Sequence, residues 1–94
     1  MYKYGMEIIW DENKAASNFK KHCGVSFEEA ATSLLDPMAL VNEDPDAEGE
    51  QRYILIGMSS NIRLIVVCYA LPDESTIRII SARKPTKREE ARYA

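Results

Sequence analysis

Six cationic side chains, Arg78, Arg83, Lys84, Lys87, Arg88 and Arg92, fall within the last seventeen residues of a chain whose formal net charge is -3. They gather where Arg78-Ile79-Ile80-Ser81-Ala82-Arg83-Lys84 reads as a strand and Pro85-Thr86-Lys87-Arg88-Glu89 as the opening of a helix. A net-acidic protein that concentrates cations in one segment builds a local anion site. A polyphosphate chain such as RNA is the first ligand to consider, because phosphate contacts are what such clusters commonly serve. Lys87 and Arg88 sit in a helical first turn, where the dipole mildly disfavours cations, so their presence points to another use. An acidic segment of a partner protein would make nearly the same demand on charge as RNA.

Other chemistry is sparse. The chain has one histidine and two distant cysteines, which match no zinc spacing, and Glu43-Asp44-Pro45-Asp46 lacks the ligand register of a calcium-binding hand. No metal and no cofactor is expected. Cys23 and Cys68 show no activating partner and read as structural thiols. Proton transfer could draw on His22, Glu28 or Glu29, Tyr69 and Tyr93. Histidine suits that task best, its ordinary pKa of about 6.5 lying near cellular pH. His22 has a second reading as a cap on helix-end carbonyls. Glu29 also reads as a capping residue and Tyr69 as core. Trp10 reads as a core plug or as a stacking platform for a base.

The elements that must position these groups follow from periodicity. Glu7-Ile8-Ile9-Trp10 is a short β-prone run, and Asp11 after it is an N-cap for a first helix from Glu12 to Lys21. That helix carries a narrow apolar stripe of Ala15, Ala16 and Phe19, with Lys14, Asn18 and Lys21 facing away. Gly24 ends it. Ser26-Phe27-Glu28-Glu29 is a capping box, and Phe27, Ala30, Ala31, Leu34 and Leu35 form the buried stripe of a second helix that Asp36-Pro37 stops. Met38 to Val41 is a short strand. From Asp36 to Glu50 the chain holds six carboxylates and no lysine or arginine, an acidic loop expected to lie in solvent, away from any nucleic acid. Gln51 to Gly57, Arg63 to Ala70 and Thr76 to Ala82 then read as three strands of an antiparallel meander, joined by short polar connections. The middle strand is apolar on both alternating faces and so is central. Thr86 to Glu89 repeats the capping-box pattern and opens a third helix.

One α+β domain over residues 1–94 results, with two N-terminal helices, an antiparallel β-meander and a C-terminal helix. Ordinary globular composition, 46% apolar and 29% charged, excludes disorder and fibrous repeats. The longest apolar run, Leu64 to Leu71, has eight residues, against roughly 20 for a membrane-spanning helix. With no secretory signal pattern at its start and no disulfide framework, the expected location is the cytoplasm.

The residues also carry a family resemblance. Trp10-Asp11-Glu12-Asn13-Lys14-Ala15, His22 with Gly24-Val25-Ser26-Phe27-Glu28-Glu29-Ala30, Asp36-Pro37, Arg52 before a strand with Gly57, and Arg78-Ile79-Ile80-Ser81-Ala82-Arg83-Lys84 together resemble the BrnT family. The resemblance implies a RelE-like fold and the toxin of a type II toxin–antitoxin pair: a small ribonuclease, neutralised by a BrnA-type antitoxin whose own DNA-binding domain would bring the complex to DNA. The family pattern usually reads His-Gly-Val-Ser-Phe, whereas here Cys23 separates His22 from Gly24. One extra residue lengthens the turn and rotates His22 by about 100° about the helix axis.

RNA cleavage without metal uses the neighbouring 2′-hydroxyl as nucleophile, so a proton must leave it, charge on phosphorus must be stabilised, and the departing oxygen must be protonated. Arginine suits the middle task, since its planar fork bonds two phosphate oxygens and stays charged. The expectation is a phosphate clamp of Arg52 and Arg83, with His22 as acid or base and Arg78, Lys84, Lys87, Arg88 and Tyr93 in substrate-binding roles. Strict alternation along the last strand sets both Lys84 and Arg78 on the face opposite Arg83. The alternative function is a non-catalytic interaction module that binds a DNA-binding partner protein.

Overall fold

The structure, a computed structural model, describes residues 2–3 and 5–93. Its elements run β1 (Tyr2–Lys3), β2 (Met6–Ile9), α1 (Glu12–Lys21), α2 (Phe27–Ser33), β3 (Leu40–Glu43), β4 (Arg52–Met58), β5 (Leu64–Asp73), β6 (Thr76–Arg83) and α3 (Lys87–Tyr93). This is an α+β fold built on one sheet of order β1-β2-β6-β5-β4-β3. β3 to β6 form an antiparallel meander, while β2 lies parallel to β6, with Ile8 opposite Ile77. β5 is central, as its doubly apolar sequence requires.

Local chemistry starts each helix. Asp11 Oδ1 accepts the amide hydrogens of Asn13 and Lys14 at 2.8 and 3.1 Å, satisfying donors that a helix start leaves free. Ser26 Oγ accepts from the Glu29 amide at 3.0 Å, but the second half of the expected box is absent. The Glu29 carboxylate turns instead to Arg63, 34 residues later, because a buried carboxylate gains more from a guanidinium than from a backbone amide. At Thr86 both halves form: the Glu89 amide donates to Thr86 Oγ1 and the Thr86 amide to Glu89 Oε1.

α2 buries Phe27, Ala30, Ala31 and Leu34 against Leu55, Ile65, Val67, Ile79 and Ala82 of the sheet. Gly57 permits that approach, since a Cβ there would sit 2.6 Å from the Ser33 carbonyl oxygen and 2.9 Å from Leu55 Cδ2. Leu35 is exposed, because the chain has already left helical geometry for the Asp36-Pro37 turn. α1 departs further from expectation. Phe19 is 50% exposed and Asn18 is buried, because α1 packs along the edge of β6 beyond the point where β2 stops. There Asn18 behaves as a missing strand residue: its Nδ2 donates to the Ala82 carbonyl at 2.8 Å and its Oδ1 accepts the Ala82 amide at 3.1 Å. Nδ2 also reaches the Val25 carbonyl at 3.2 Å.

A bulge in β6 reorders its faces. Cys68 pairs with Ser81 and Tyr69 with Ile79, so Ile80 is the extra residue. Ile77, Ile79 and Ala82 join the core under α2. Ile80, Ser81 and Arg83 consequently share the other face, and alternation from Ile79 places Arg78 there too. The expectation that Arg78 and Arg83 oppose each other is thus corrected: the extra residue inverts the parity. α3 covers part of this second face, with Glu89 and Arg92 over Ile54 and Ile56. The Tyr93 hydroxyl donates to Asp36 Oδ2 at 2.5 Å, and the Met58 amide donates to the same oxygen at 2.8 Å. That shared acceptor ties α3 to the end of α2. No described helix is long and apolar enough to cross a membrane.

Candidate functional site

On the sheet face that α3 leaves uncovered, a cleft of about 290 Å³ is lined by Asp44, Arg52, Ile54, Val66, Cys68, Ile80, Ser81 and Arg83. Registry explains the set. Arg52 and Ile54 alternate along β4, Cys68 stands opposite Ile54 on β5, and Ser81 and Arg83 stand opposite Cys68 and Val66 on β6. Two guanidinium groups from strands separated by β5 therefore line one concavity.

Their states differ. Arg52 Nε is buried and has no hydrogen-bond partner among the described residues, a condition that costs roughly 1–3 kcal/mol for an ordinary polar group and more for a charged one. An N–H of a cation, shielded from water and lacking an acceptor, is suited to an anion. Arg83 is held by Glu89 of α3, with Nη1 to Oε1 at 2.7 Å and Nη2 to Oε2 at 2.9 Å, and Nη1 also reaches the Lys84 carbonyl at 3.2 Å. Those bonds engage three of its five N–H hydrogens. Nε and the second Nη2 hydrogen have no acceptor among the described residues. Glu89 thereby fixes the plane of the guanidinium while leaving its Nε edge without a partner among the described residues. The Arg83 guanidinium, with a further bond from the Thr86 amide, lowers the Glu89 pKa to about 2 against the cost of burial, and Glu89 in turn raises that of Arg83. The carboxylate is ionised at any pH at which the protein works.

Burial, and secondarily the Asp44 carboxylate, pushes the Cys68 thiol up, so it stands in the cleft as a neutral group and not as a nucleophile. Asp44 and Glu50 correct the expectation that the acidic loop stays in solvent apart from the cationic surface. The Asp44 amide donates to the Arg52 carbonyl at 2.8 Å and brings the loop to the rim. Glu50 forms an ion pair with Arg78. The cations draw these carboxylates inward, an effect that loop composition alone does not register.

The other expected residues are dispersed. His22 is the C-cap of α1, its amide donating to the Asn18 carbonyl. It lines a separate shallow concavity with Lys14, Ser17, Asn18, Lys21, Ile80 and Ser81, which adjoins the cleft through those last two residues. Lys84 lies elsewhere, beside Met58, Ile62, Arg63 and Glu90. Lys87 and Arg88 are exposed on α3. Tyr93 is committed to Asp36, whose acceptance of that proton raises the phenol pKa. Trp10 packs edge-on to Phe27 at 6.2 Å, with its indole N–H on Glu12, and is a core plug. Among the described residues no group of three His, Cys, Asp or Glu side chains is placed to hold a metal.

Sequence reasoning missed Asp44, Cys68 and Ser81 as cleft residues. Only the pairing of β4, β5 and β6 brings them together, and the one available signal was the polar break that Cys68 makes in an otherwise aliphatic central strand.

Residues 10–89 match the family described as ribonuclease toxin, BrnT, of type II toxin–antitoxin system. The crystal structure of the Brucella abortus ribonuclease toxin, BrnT, is similar to this chain with a TM-score of 0.66 and 27% identity, covering 87% of this chain and 99% of that one. No curated protein matches.

Proposed function

The chain belongs to the BrnT family of ribonuclease toxins of type II toxin–antitoxin systems, and from that premise we propose that the cleft between Arg52 and Arg83 holds the RNA phosphate that is cut. The observation that carries this reading is that Arg52, whose buried Nε has no hydrogen-bond partner among the described residues, and Arg83 line one concavity. In the reaction the 2′-oxygen bonds to phosphorus as the bond to the 5′-oxygen breaks. The two guanidiniums stabilise the charge that builds on the non-bridging oxygens. His22, in the adjoining concavity, would take the proton that the 2′-hydroxyl loses or supply the one that the 5′-oxygen gains, with water serving the other transfer. The cleft offers a metal only Asp44 and Cys68 as ligating side chains, which supports cleavage by charge and proton transfer without one. Arg78, Lys84, Lys87 and Arg88 contribute outlying charge, and Tyr93 supports α3.

The natural partner in this reading is a BrnA-type antitoxin, whose DNA-binding domain carries the complex to its operator. Binding over the cleft, with carboxylates against Arg52 and Arg83, would neutralise the toxin by occupying the phosphate position.

The test is expression of the wild type beside Arg52→Ala and Arg83→Ala variants, with total RNA followed in vivo and, for the purified proteins, in EDTA. The expected outcome is growth arrest and RNA breakdown by the wild type, undiminished in EDTA, and losses of 100-fold or more in each variant, on the order seen when one oxyanion-stabilising donor is removed. Full activity in both folded variants defeats the clamp. Activity abolished by EDTA and restored by a divalent cation defeats the metal-free reading.

A further inference from the structure

Apart from His22, the shallow concavity on α1 has a composition that the reaction just described does not require. Lys14, Ser17, Asn18 and Lys21 fall three and four residues apart and so form one stripe of the helix. Asn18, buried and bonded to both backbone groups of Ala82, presses the middle of that stripe against the β6 edge. The two lysines are left on either side of it, about 10 Å apart along the axis. Ile80 and Ser81 line both concavities, so the cleft and the α1 concavity adjoin across the edge of β6.

Charge is sorted around the helix. Lys14 and Lys21 line the side next to β6, while Glu12 lines another side with Ala15, Ala16 and Phe19, facing Glu28 of α2. Lys21 near the helix C-terminus is favoured by the dipole, but Lys14 in the first turn is disfavoured by it. Helix stability therefore does not account for the pair, and neither lysine forms an ion pair among the described residues.

We propose that the Lys14–Lys21 face of α1 is a second phosphate subsite, which holds the RNA strand flanking the scissile phosphate after it crosses Ile80 and Ser81. The inference rests on the cleft reading and adds a substrate class to it: a single-stranded RNA several nucleotides long, not a dinucleotide. The exposed lysines contribute through counterion release, so the contact is read in the salt dependence of binding.

The experiment uses 2′-O-methyl RNA, which has no nucleophilic hydroxyl and is bound without being cut. Affinities for a strand of about twelve nucleotides and for a dinucleotide are measured across a salt series, with the wild type, Lys14→Ala/Lys21→Ala and Lys14→Arg/Lys21→Arg. In the alanine variant the long strand should bind about tenfold more weakly at low salt, with a slope of log K on log salt smaller by about 1.4, since each single-strand contact contributes about 0.7. The arginine variant should retain the slope, and dinucleotide binding should be unchanged in all three. An unchanged slope in the alanine variant overturns the proposal, as does an equal loss for strand and dinucleotide, which would place the lysines at the cleft. Failure of the underlying reading looks different: Arg52→Ala and Arg83→Ala would then leave dinucleotide binding intact.

Discussion

Replacing Glu29 by glutamine should destabilise the protein by about 2 kcal/mol at neutral pH, and the loss should fade in acid. Glu29 is 6% exposed, with Oε2 accepting from Arg63 Nε at 2.7 Å and Ser59 Oγ at 2.7 Å, and Oε1 accepting from Arg63 Nη2 at 2.5 Å. Arg63, against the opposing effect of burial and with help from Ser59, lowers its pKa from 4.5 to about 2. A depression of that size corresponds to about 3 kcal/mol. Water screens the exposed third of the Arg63 side chain, which reduces the figure to about 2 kcal/mol. Because the folded pKa lies below the unfolded one, the contribution is complete above pH 4.5 and is lost as pH falls toward 2. The gap between wild type and Glu29→Gln, read from urea midpoints, should therefore shrink by more than half between pH 7 and about pH 3. Arg63→Met should be the worse variant at pH 7, by roughly 3–5 kcal/mol, because it strands a buried carboxylate, whereas a lone Arg63 can rehydrate. A gap that stays constant with pH, or an Arg63→Met variant milder than Glu29→Gln, would refute this account of the pair.

Four further outcomes follow from backbone geometry. Asn18→Ala leaves the amide and carbonyl of Ala82 without partners, and should cost about 2–4 kcal/mol in chemical denaturation, with early amide exchange at residues 80–83. Gly57→Ala drives a Cβ into the Ser33 carbonyl, and thermal melting should show a loss of at least about 2 kcal/mol as α2 is pushed from the sheet. Cys23 occupies the left-handed position of the turn that ends α1, at φ 52, where glycine is the usual residue. Cys23→Gly should therefore raise stability by about 0.5–1 kcal/mol in denaturant midpoints, while Gly24→Ala, at φ 84, should lower it by at least about 1 kcal/mol.

What the sequence disclosed was local. Asp11, Ser26 and Thr86 mark helix starts because a cap is chemistry between residues two or three apart. The three strands of the meander stand out because β-branched runs alternate with short polar turns. What it concealed required a neighbour from far away. Asn18 looks like a solvent-facing position until β2 stops short and leaves the edge of β6 open. Glu29 reads as half of a capping box until Arg63 offers a better bond. That Arg52 and Arg83 line one cleft could be guessed from the cationic ends of two strands, although the register sets Arg52 across β5 from Arg78 and Arg83 across from Ile56. The side on which Arg78 falls could not, because nothing in Ile79-Ile80-Ser81 announces an extra residue in the ladder.

The position of β6 bears on how a cell makes this protein. That strand lies between β2 and β5, and it supplies Arg83 and the Asn18 contact, yet it is translated after all of them. A nascent chain that has emerged only as far as β5 has Arg52 but neither its cationic counterpart nor the rung that seats α1. The cleft between Arg52 and Arg83 thus cannot assemble until synthesis has passed Arg83 and the Glu89 that steadies it. Strand order alone therefore keeps the cleft incomplete until the last helix of the nascent chain has left the ribosome.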